Sequence, residues 1–125
     1  MNIPDNLLYT NEHEWVKVEG DVATVGITDY AQGELGDIVF VDLPQKDSEA
    51  KQMKPFGTIE AVKTVSDLYA PLTGKIIEVN AKLAEQPEVI NRDCYGEGWL
   101  IKIELSANAE IENLLSPADY KARVG

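Results

Sequence analysis

Lys63 is the residue whose setting most invites chemistry. It stands between two short β-prone runs in Glu60-Ala61-Val62-Lys63-Thr64-Val65-Ser66-Asp67-Leu68-Tyr69-Ala70-Pro71. Gly57 to Val62 reads as a strand, because Thr58, Ile59 and Val62 are β-branched and Gly57 marks its start. Val65 to Ala70 reads as a second strand, stopped by Pro71, which has no N–H to give to a ladder. That spacing puts Lys63 at or beside the turn, with its amine in water. A lysine offered alone on a tight turn is a good place to attach a prosthetic group. Most hairpin-turn lysines are only solvated, and local spacing by itself favours that plainer reading while leaving the other open.

Little else in the chain is equipped for catalysis. His13 is the only histidine and has no partners for a triad. Cys94 is the only cysteine, which excludes an intramolecular disulfide and reads as an inert, partly exposed thiol. Together they cannot supply the four ligands of a structural zinc site. No glycine-rich phosphate loop is present. The formal charge of −11 argues against nucleic acid, whose phosphates need Lys and Arg, and suits solubility or encounters with basic surfaces. No apolar run approaches a membrane span, and Met1-Asn2-Ile3-Pro4-Asp5 shows neither a signal peptide nor an Arg-rich transit segment. The expected compartment is a bacterial cytoplasm, with a processed mitochondrial form left open.

The elements that must position Lys63 are mostly strands. A chain of 125 residues makes one domain with a modest core. Trp15 to Val18 alternates, with Val16 and Val18 on one face, and Gly20-Asp21 turns it into Val22 to Ile27 as a hairpin. Thr28 caps a short helix to about Leu35, stopped by Gly36. Ile38 to Leu43 is a strand ended by Pro44, and Gln45 to Met53 is polar and loop-like. Beyond the lysine hairpin come a strand at Gly74 to Val79, a mostly loop segment from Ala81 to Asp93, and a strand at Trp99 to Leu105 in which Leu100 opposes Ile101 and Ile103. Ala109 to Leu115 has Ile111, Leu114 and Leu115 at helical spacing. Ser116-Pro117 then opens a last helix to about Arg123. Gly36-Asp37-Ile38-Val39-Phe40-Val41-Asp42 and Gly74-Lys75-Ile76-Ile77-Glu78-Val79-Asn80 echo one another across the hairpin, as two sheet layers of rough two-fold symmetry would. Periodicity alone yields a small β-sandwich or barrel.

The lysine segment resembles the lipoyl-attachment site of the glycine cleavage system H proteins, with Lys63 on the lipoylated lysine. His13-Glu14-Trp15-Val16 resembles that family's N-terminal strand. Val25 to Gln32, Leu35-Gly36-Asp37-Ile38-Val39, Val89-Ile90-Asn91, Tyr95-Gly96 and Gly98-Trp99-Leu100-Ile101 resemble its later landmarks, in order, from about Tyr9 to Tyr120. The resemblance implies a mainly β, barrel-sandwich hybrid fold of the lipoyl and biotinyl kind, with a short helix in the N-terminal half and short C-terminal helices. Residues 1–125 would form one lipoyl-carrier domain, with the lipoyl hairpin at about 57–70 and a helical tail at about 108–123. The usual Met-Lys-Met of a biotin carrier is absent around Lys63.

The resemblance also implies a function. Lipoic acid, amide-linked to Lys63, would shuttle an aminomethyl group from a pyridoxal-phosphate (PLP) glycine decarboxylase to a tetrahydrofolate-dependent aminomethyltransferase. Dihydrolipoamide dehydrogenase, an FAD enzyme, would then reoxidise the arm. Such a protein is a monomeric carrier, not an enzyme; it holds no catalytic residue and no metal. A lipoate ligase or lipoyl transferase would modify it, and Glu60 and Asp67, flanking Lys63 on the two arms of the hairpin, are positioned to be read by that ligase or to be plain solvated strand residues. Glu14, Asp67 and Glu12 are the candidate carboxylates of a cleft for the aminomethyl-lipoyl arm. Glu14 and Asp67 match the family pattern; Glu12 stands where a serine is often found. His13 is expected to fix the N-terminal strand. Glu34 stands where some relatives have histidine, Cys94 where the family often has proline, and Thr64 and Val65 where smaller residues are common. Two alternatives remain open: an H-like relay that supplies lipoyl groups to other complexes, and an unmodified sandwich that binds a protein partner.

Overall fold

The computed structural model describes residues 1–106 and 108–125. In chain order the elements are β1 (Leu8–Tyr9), β2 (Glu14–Glu19), β3 (Val22–Ile27), α1 (Asp29–Leu35), β4 (Ile38–Asp42), β5 (Glu49–Ala50), β6 (Pro55–Ala61), β7 (Val65–Tyr69), β8 (Gly74–Val79), α2 (Lys82–Glu85), α3 (Val89–Arg92), β9 (Ile101–Leu105), a 3-10 helix (Asn108–Asn113) and α4 (Pro117–Val124). Hydrogen bonding joins β1-β2-β3-β9-β8-β5 into one sheet and β4-β6-β7 into another. Every pairing is antiparallel.

The two sheets close on a shared core. Val25, Ile27, Ile76, Ile101 and Ile103 come from the larger sheet, and Ile38, Val41, Ile59 and Leu68 from the smaller. Alternation along each strand supplies these side chains to one face, and their removal from water holds the layers together. The echoing segments divide as expected: β4 lies in one sheet and β8 in the other. The mainly β sandwich with few short helices agrees with the expected barrel-sandwich architecture.

Local rules account for most boundaries. Thr28 caps α1 by accepting from the Ala31 N–H at 3.2 Å. Gly36, at φ +79°, ends it and returns its N–H to the Gln32 carbonyl at 3.0 Å. Ser116 caps α4 through the Asp119 N–H, with Pro117 in its first turn. Val16 and Val18 do share a face, yet Trp15 opposite them is also buried. Its indole lies over Gly26, where a Cβ would come within 2.6 Å of the ring, and its Nε1 donates to the Cys94 carbonyl at 2.9 Å. The outer face of β2 is therefore covered, by a second core of Leu7, Tyr9, Trp15 and Tyr120.

Four local expectations are corrected. Ala81 to Asp93 contains α2 and α3, one-turn helices without side-chain caps, held by the burial of Leu83, Val89 and Ile90. Tertiary packing supports such turns where sequence propensity alone does not. The polar stretch before the hairpin includes β5, paired to β8 through Glu49↔Lys75 and Ala50↔Gly74. Leu100 does not oppose Ile101 and Ile103 toward solvent: it precedes β9 and is buried in the same core. Cys94 is buried, not partly exposed, and burial pushes its thiol up to about 12. No helix among the described residues is long and apolar enough to cross a membrane.

Candidate functional site

β6 and β7 pair through Glu60↔Val65, Ile59↔Ser66 and Thr58↔Asp67, leaving Val62 and Lys63 at the tip of the turn. The Ala61 N–H donates to the Thr64 carbonyl at 2.8 Å, closing the turn. The Val62 N–H donates to the Asp37 carbonyl at 3.0 Å, tying the tip to the segment between α1 and β4. That segment is clamped by Asn91 of α3. The Asn91 Nδ2 donates to the Gly36 carbonyl at 2.8 Å, and its Oδ1 accepts from the Ile38 N–H at 3.0 Å. The lysine is thus solvent-exposed on a backbone that is fixed from below. Its stem runs past Gly36, where a Cβ would meet Lys63 Cε at 3.6 Å. Among the described residues Lys63 enters no salt bridge.

Glu60 and Asp67 are not a cross-strand pair. Glu60 faces Val65, and Asp67 faces Thr58 one step further along. Antiparallel pairing puts all four on the outward face of the small sheet. Phe40 of β4 is paired to Glu60 and continues the row. Phe40 is 49% exposed and Val65 61%, so Glu60 sits in an open apolar strip next to the lysine.

β7 is an edge strand of its sheet, as β4 is on the other side. Between that edge, the start of β2 and the helix α1 lies a cleft of about 290 Å³. Leu35, Ile59 and Leu68 give it an apolar wall; Glu12, Glu14, Glu34 and Asp67 give it carboxylates. His13 and Tyr30 close the remaining side, with their rings 4.7 Å apart. The structure therefore brings Glu12, Glu14 and Asp67 together along one cleft and leaves Glu60 outside it.

The carboxylates differ in setting. Glu12 and Asp67 are exposed, whereas Glu14 is only 1% exposed. The Glu14 Oε1 accepts from the Thr10 hydroxyl at 2.5 Å, and Oε2 accepts from the Tyr69 N–H at 3.2 Å. The second bond crosses from one sheet to the edge of the other and occupies a donor that the ladder leaves free. Burial pushes the Glu14 carboxyl up to about 8, against the opposing pull of the bonds from Thr10 and Tyr69. His13, at φ +69°, has Nδ1 2.9 Å from the Tyr120 hydroxyl, which is 2.7 Å from the Thr28 hydroxyl. Burial, then the Arg123 charge, lowers the His13 pKa from its ordinary value. A neutral imidazole accepting from Tyr120 fits both facts. His13 anchors the cleft wall to α4 rather than standing free for proton transfer.

Sequence reasoning missed Thr10, Tyr30 and the Tyr69 N–H. A threonine followed two residues later by a turn is a known side-chain-to-backbone signal, and Thr10 was legible on that ground. The setting combines an exposed lysine whose stem crosses a glycine with a cleft that has an apolar wall, three exposed carboxylates and one buried one. Among the described residues no group of three or more His, Cys, Asp or Glu can hold a metal ion.

The Glycine cleavage H-protein family profile matches residues 7–125. A Glycine cleavage system H protein of Symbiobacterium thermophilum is 57% identical over 121 residues, 97% of this chain and 94% of that one. One from Bacteroides thetaiotaomicron is 58% identical over 124 residues, 99% of this chain and 98% of the relative. The crystal structure of a glycine cleavage system H protein from Mycobacterium marinum superposes with a TM-score of 0.89 at 38% identity, covering 97% of this chain and 98% of that one. With the hairpin, the cleft and the near full-length similarity in hand, the chain belongs to the glycine cleavage H-protein family, the lipoyl-bearing shuttles of the glycine cleavage system.

Proposed function

We propose that Lys63 is the attachment point of the lipoyl group and that the cleft bounded by Glu12, Glu14 and Asp67 receives the loaded arm. The observation that carries this reading is the exposed Lys63 on a clamped turn, beside a cleft whose one buried carboxylate faces inward. When bound, the lipoyl group supplies two sulfurs that accept a one-carbon amine and exchange electrons. The protein supplies presentation and shelter. Amide formation removes the charge of Lys63, so the arm can lie along Leu35, Ile59 and Leu68 without an ammonium to desolvate. Glu14 and Asp67 attract a cationic amine at the end of the cleft, and the walls limit water around it.

Glu14 is poised for that contact. Ionising it at pH 7 against a pKa of about 8 costs about 1.4 kcal/mol, while a shielded charge-assisted bond contributes roughly 1.5–3 kcal/mol. A cation arriving in the cleft therefore favours loss of the Glu14 proton, and an uncharged arm does not. The chain acts as a monomeric cytoplasmic carrier rather than a catalyst. Its partners are the glycine decarboxylase, the aminomethyltransferase, dihydrolipoamide dehydrogenase and a lipoate ligase or lipoyl transferase.

The direct test is intact and peptide mass spectrometry of protein made in a lipoate-replete host. The lipoyl mass is expected on Lys63 and on no other lysine, and Lys63→Arg is expected to fold and stay unmodified. Lipoylation elsewhere, or none in a competent host, ends the assignment. The cleft is tested separately with Glu14→Gln/Asp67→Asn, which should hasten loss of ammonia and formaldehyde from isolated loaded protein. An unchanged decay rate in the folded variant would assign the shelter to cleft shape alone.

A further inference from the structure

The hydrogen bonds around Thr10 have a purpose that strand formation does not explain. Thr10 is 3% exposed and directly follows β1. Its hydroxyl oxygen accepts from the Glu12 N–H and from the Glu14 N–H, each at 3.2 Å. A threonine hydroxyl has one proton to give. It gives it to Glu14 Oε1. The backbone of Thr10 closes the same loop: its N–H donates to the Glu14 carbonyl at 3.0 Å, and its carbonyl accepts from the His13 N–H at 3.2 Å. One side chain thus sets the backbone of the residue bearing the carboxylate and holds the carboxylate itself.

We propose that Thr10 is a positioning residue for the cargo. It orients Glu14 into the cleft and, by spending its single proton on Oε1, keeps that carboxylate available to an arriving cation. This rests on the reading that Glu14 meets the cargo amine. Two features make the hydroxyl, rather than Thr10 as a packing group, the active part. First, among the described residues the only other residue that donates to the Glu14 carboxylate is Tyr69, whose N–H goes to Oε2, so without Thr10 no other residue holds Oε1. Second, the charges around Glu14 are Glu12 and Asp67, both acidic, and His13, held neutral by burial; the cation on the neighbouring helix, Arg123, is engaged with the Asn11 carbonyl at 3.0 Å and is not a donor to Glu14. Removing the hydroxyl should therefore make the Glu14 anion harder to form.

The test uses lipoylated full-length protein in four forms: wild type, Thr10→Val, Glu14→Gln and the double variant, with Thr10→Ser as the rescue. Two readouts are taken, the carboxyl carbon titration of Glu14 by NMR and the decay of aminomethyl-loaded protein. Thr10→Val should move the Glu14 midpoint up by about one pH unit and speed decay roughly tenfold, the effect of losing one bond to a charged group. Thr10→Ser should restore both. In the Glu14→Gln background Thr10→Val should add nothing to the decay, because it acts through Glu14. A purely structural Thr10 would add its effect in both backgrounds and leave the titration in place; either result overturns the proposal. If Glu14→Gln itself leaves decay unchanged, the cargo reading of Glu14 fails first and the positioning role falls with it. If Glu14→Gln speeds decay but Thr10→Val does not, only the role of Thr10 is lost. Urea denaturation of each variant, followed by tryptophan fluorescence, confirms that the measurements are made on folded protein.

Discussion

Replacing Glu14 by Gln should change how stability depends on pH, by an amount the burial of this residue fixes. The folded carboxyl titrates at about 8 and the unfolded one at 4.5. Above 4.5 the unfolded chain gives up this proton while the folded chain keeps it, so rising pH favours unfolding. The contribution is complete below 4.5 and is lost as pH climbs toward 8, after which both states are ionised and the loss levels off. At about 1.36 kcal/mol per pH unit, wild type should lose roughly 3.5 kcal/mol relative to Glu14→Gln between pH 5 and pH 8. That is a large share of the roughly 5–15 kcal/mol that holds a domain folded. Glutamine keeps the shape and cannot ionise, so any constant penalty from its amide shifts the two curves apart without changing the slope of their difference. The assay is urea unfolding of unlipoylated protein at pH 5, 6, 7 and 8 and fixed ionic strength, reading the tryptophans. A difference that stays flat to within about 0.5 kcal/mol would show that water reaches Glu14 and that burial does not govern it.

The other expectations are local. Glu60→Lys, in the exposed strip beside Lys63, should slow lipoylation several-fold while changing folding by under about 0.5 kcal/mol; equal lipoylation rates would assign Glu60 to the solvated face. Gly26→Ala drives a methyl to within 2.6 Å of the Trp15 indole, so it should destabilise by about 1–3 kcal/mol with a shifted fluorescence spectrum; an unchanged urea midpoint would mean the indole does not lie there. Tyr120→Phe removes the hydroxyl between Thr28 and His13, and should lower stability by about 1–2 kcal/mol in urea unfolding. It should also let the His13 NMR titration move back up toward its ordinary value, since the neutral ring loses its donor.

Much of the fold is written in short-range signals. Thr28, Gly36, Ser116 and Pro117 mark helix ends through their own backbone chemistry, so α1 and α4 are legible from a few residues each. The lysine hairpin is legible for the same reason: β-branched arms and a proline after the second leave Lys63 only the turn, although Gly57 lies inside β6 at a bulge rather than at its start. Family motifs in order then carry the chemistry proposed for it. The short pieces escape such reading. β1 and β5 have two residues each, and α2 and α3 have four; they exist because the sheets they touch bury Leu83, Val89, Ile90 and Ala50.

The cleft lies at the other extreme. Glu14 and Tyr69 are 55 residues apart, on strands of different sheets, and meet only because the edge of β7 comes to rest beside the start of β2. Sequence puts Glu14 and Asp67 forward on the same footing, with Glu12 behind them at a position where a serine is often found. Tertiary packing separates them, burying Glu14 under Thr10 and the β7 edge while Glu12 and Asp67 stay in water. The sequence by itself determined which lysine is presented, because a turn is a local event. Only the tertiary structure decided which carboxylate is hard to ionise, because desolvation is imposed by groups distant in the chain.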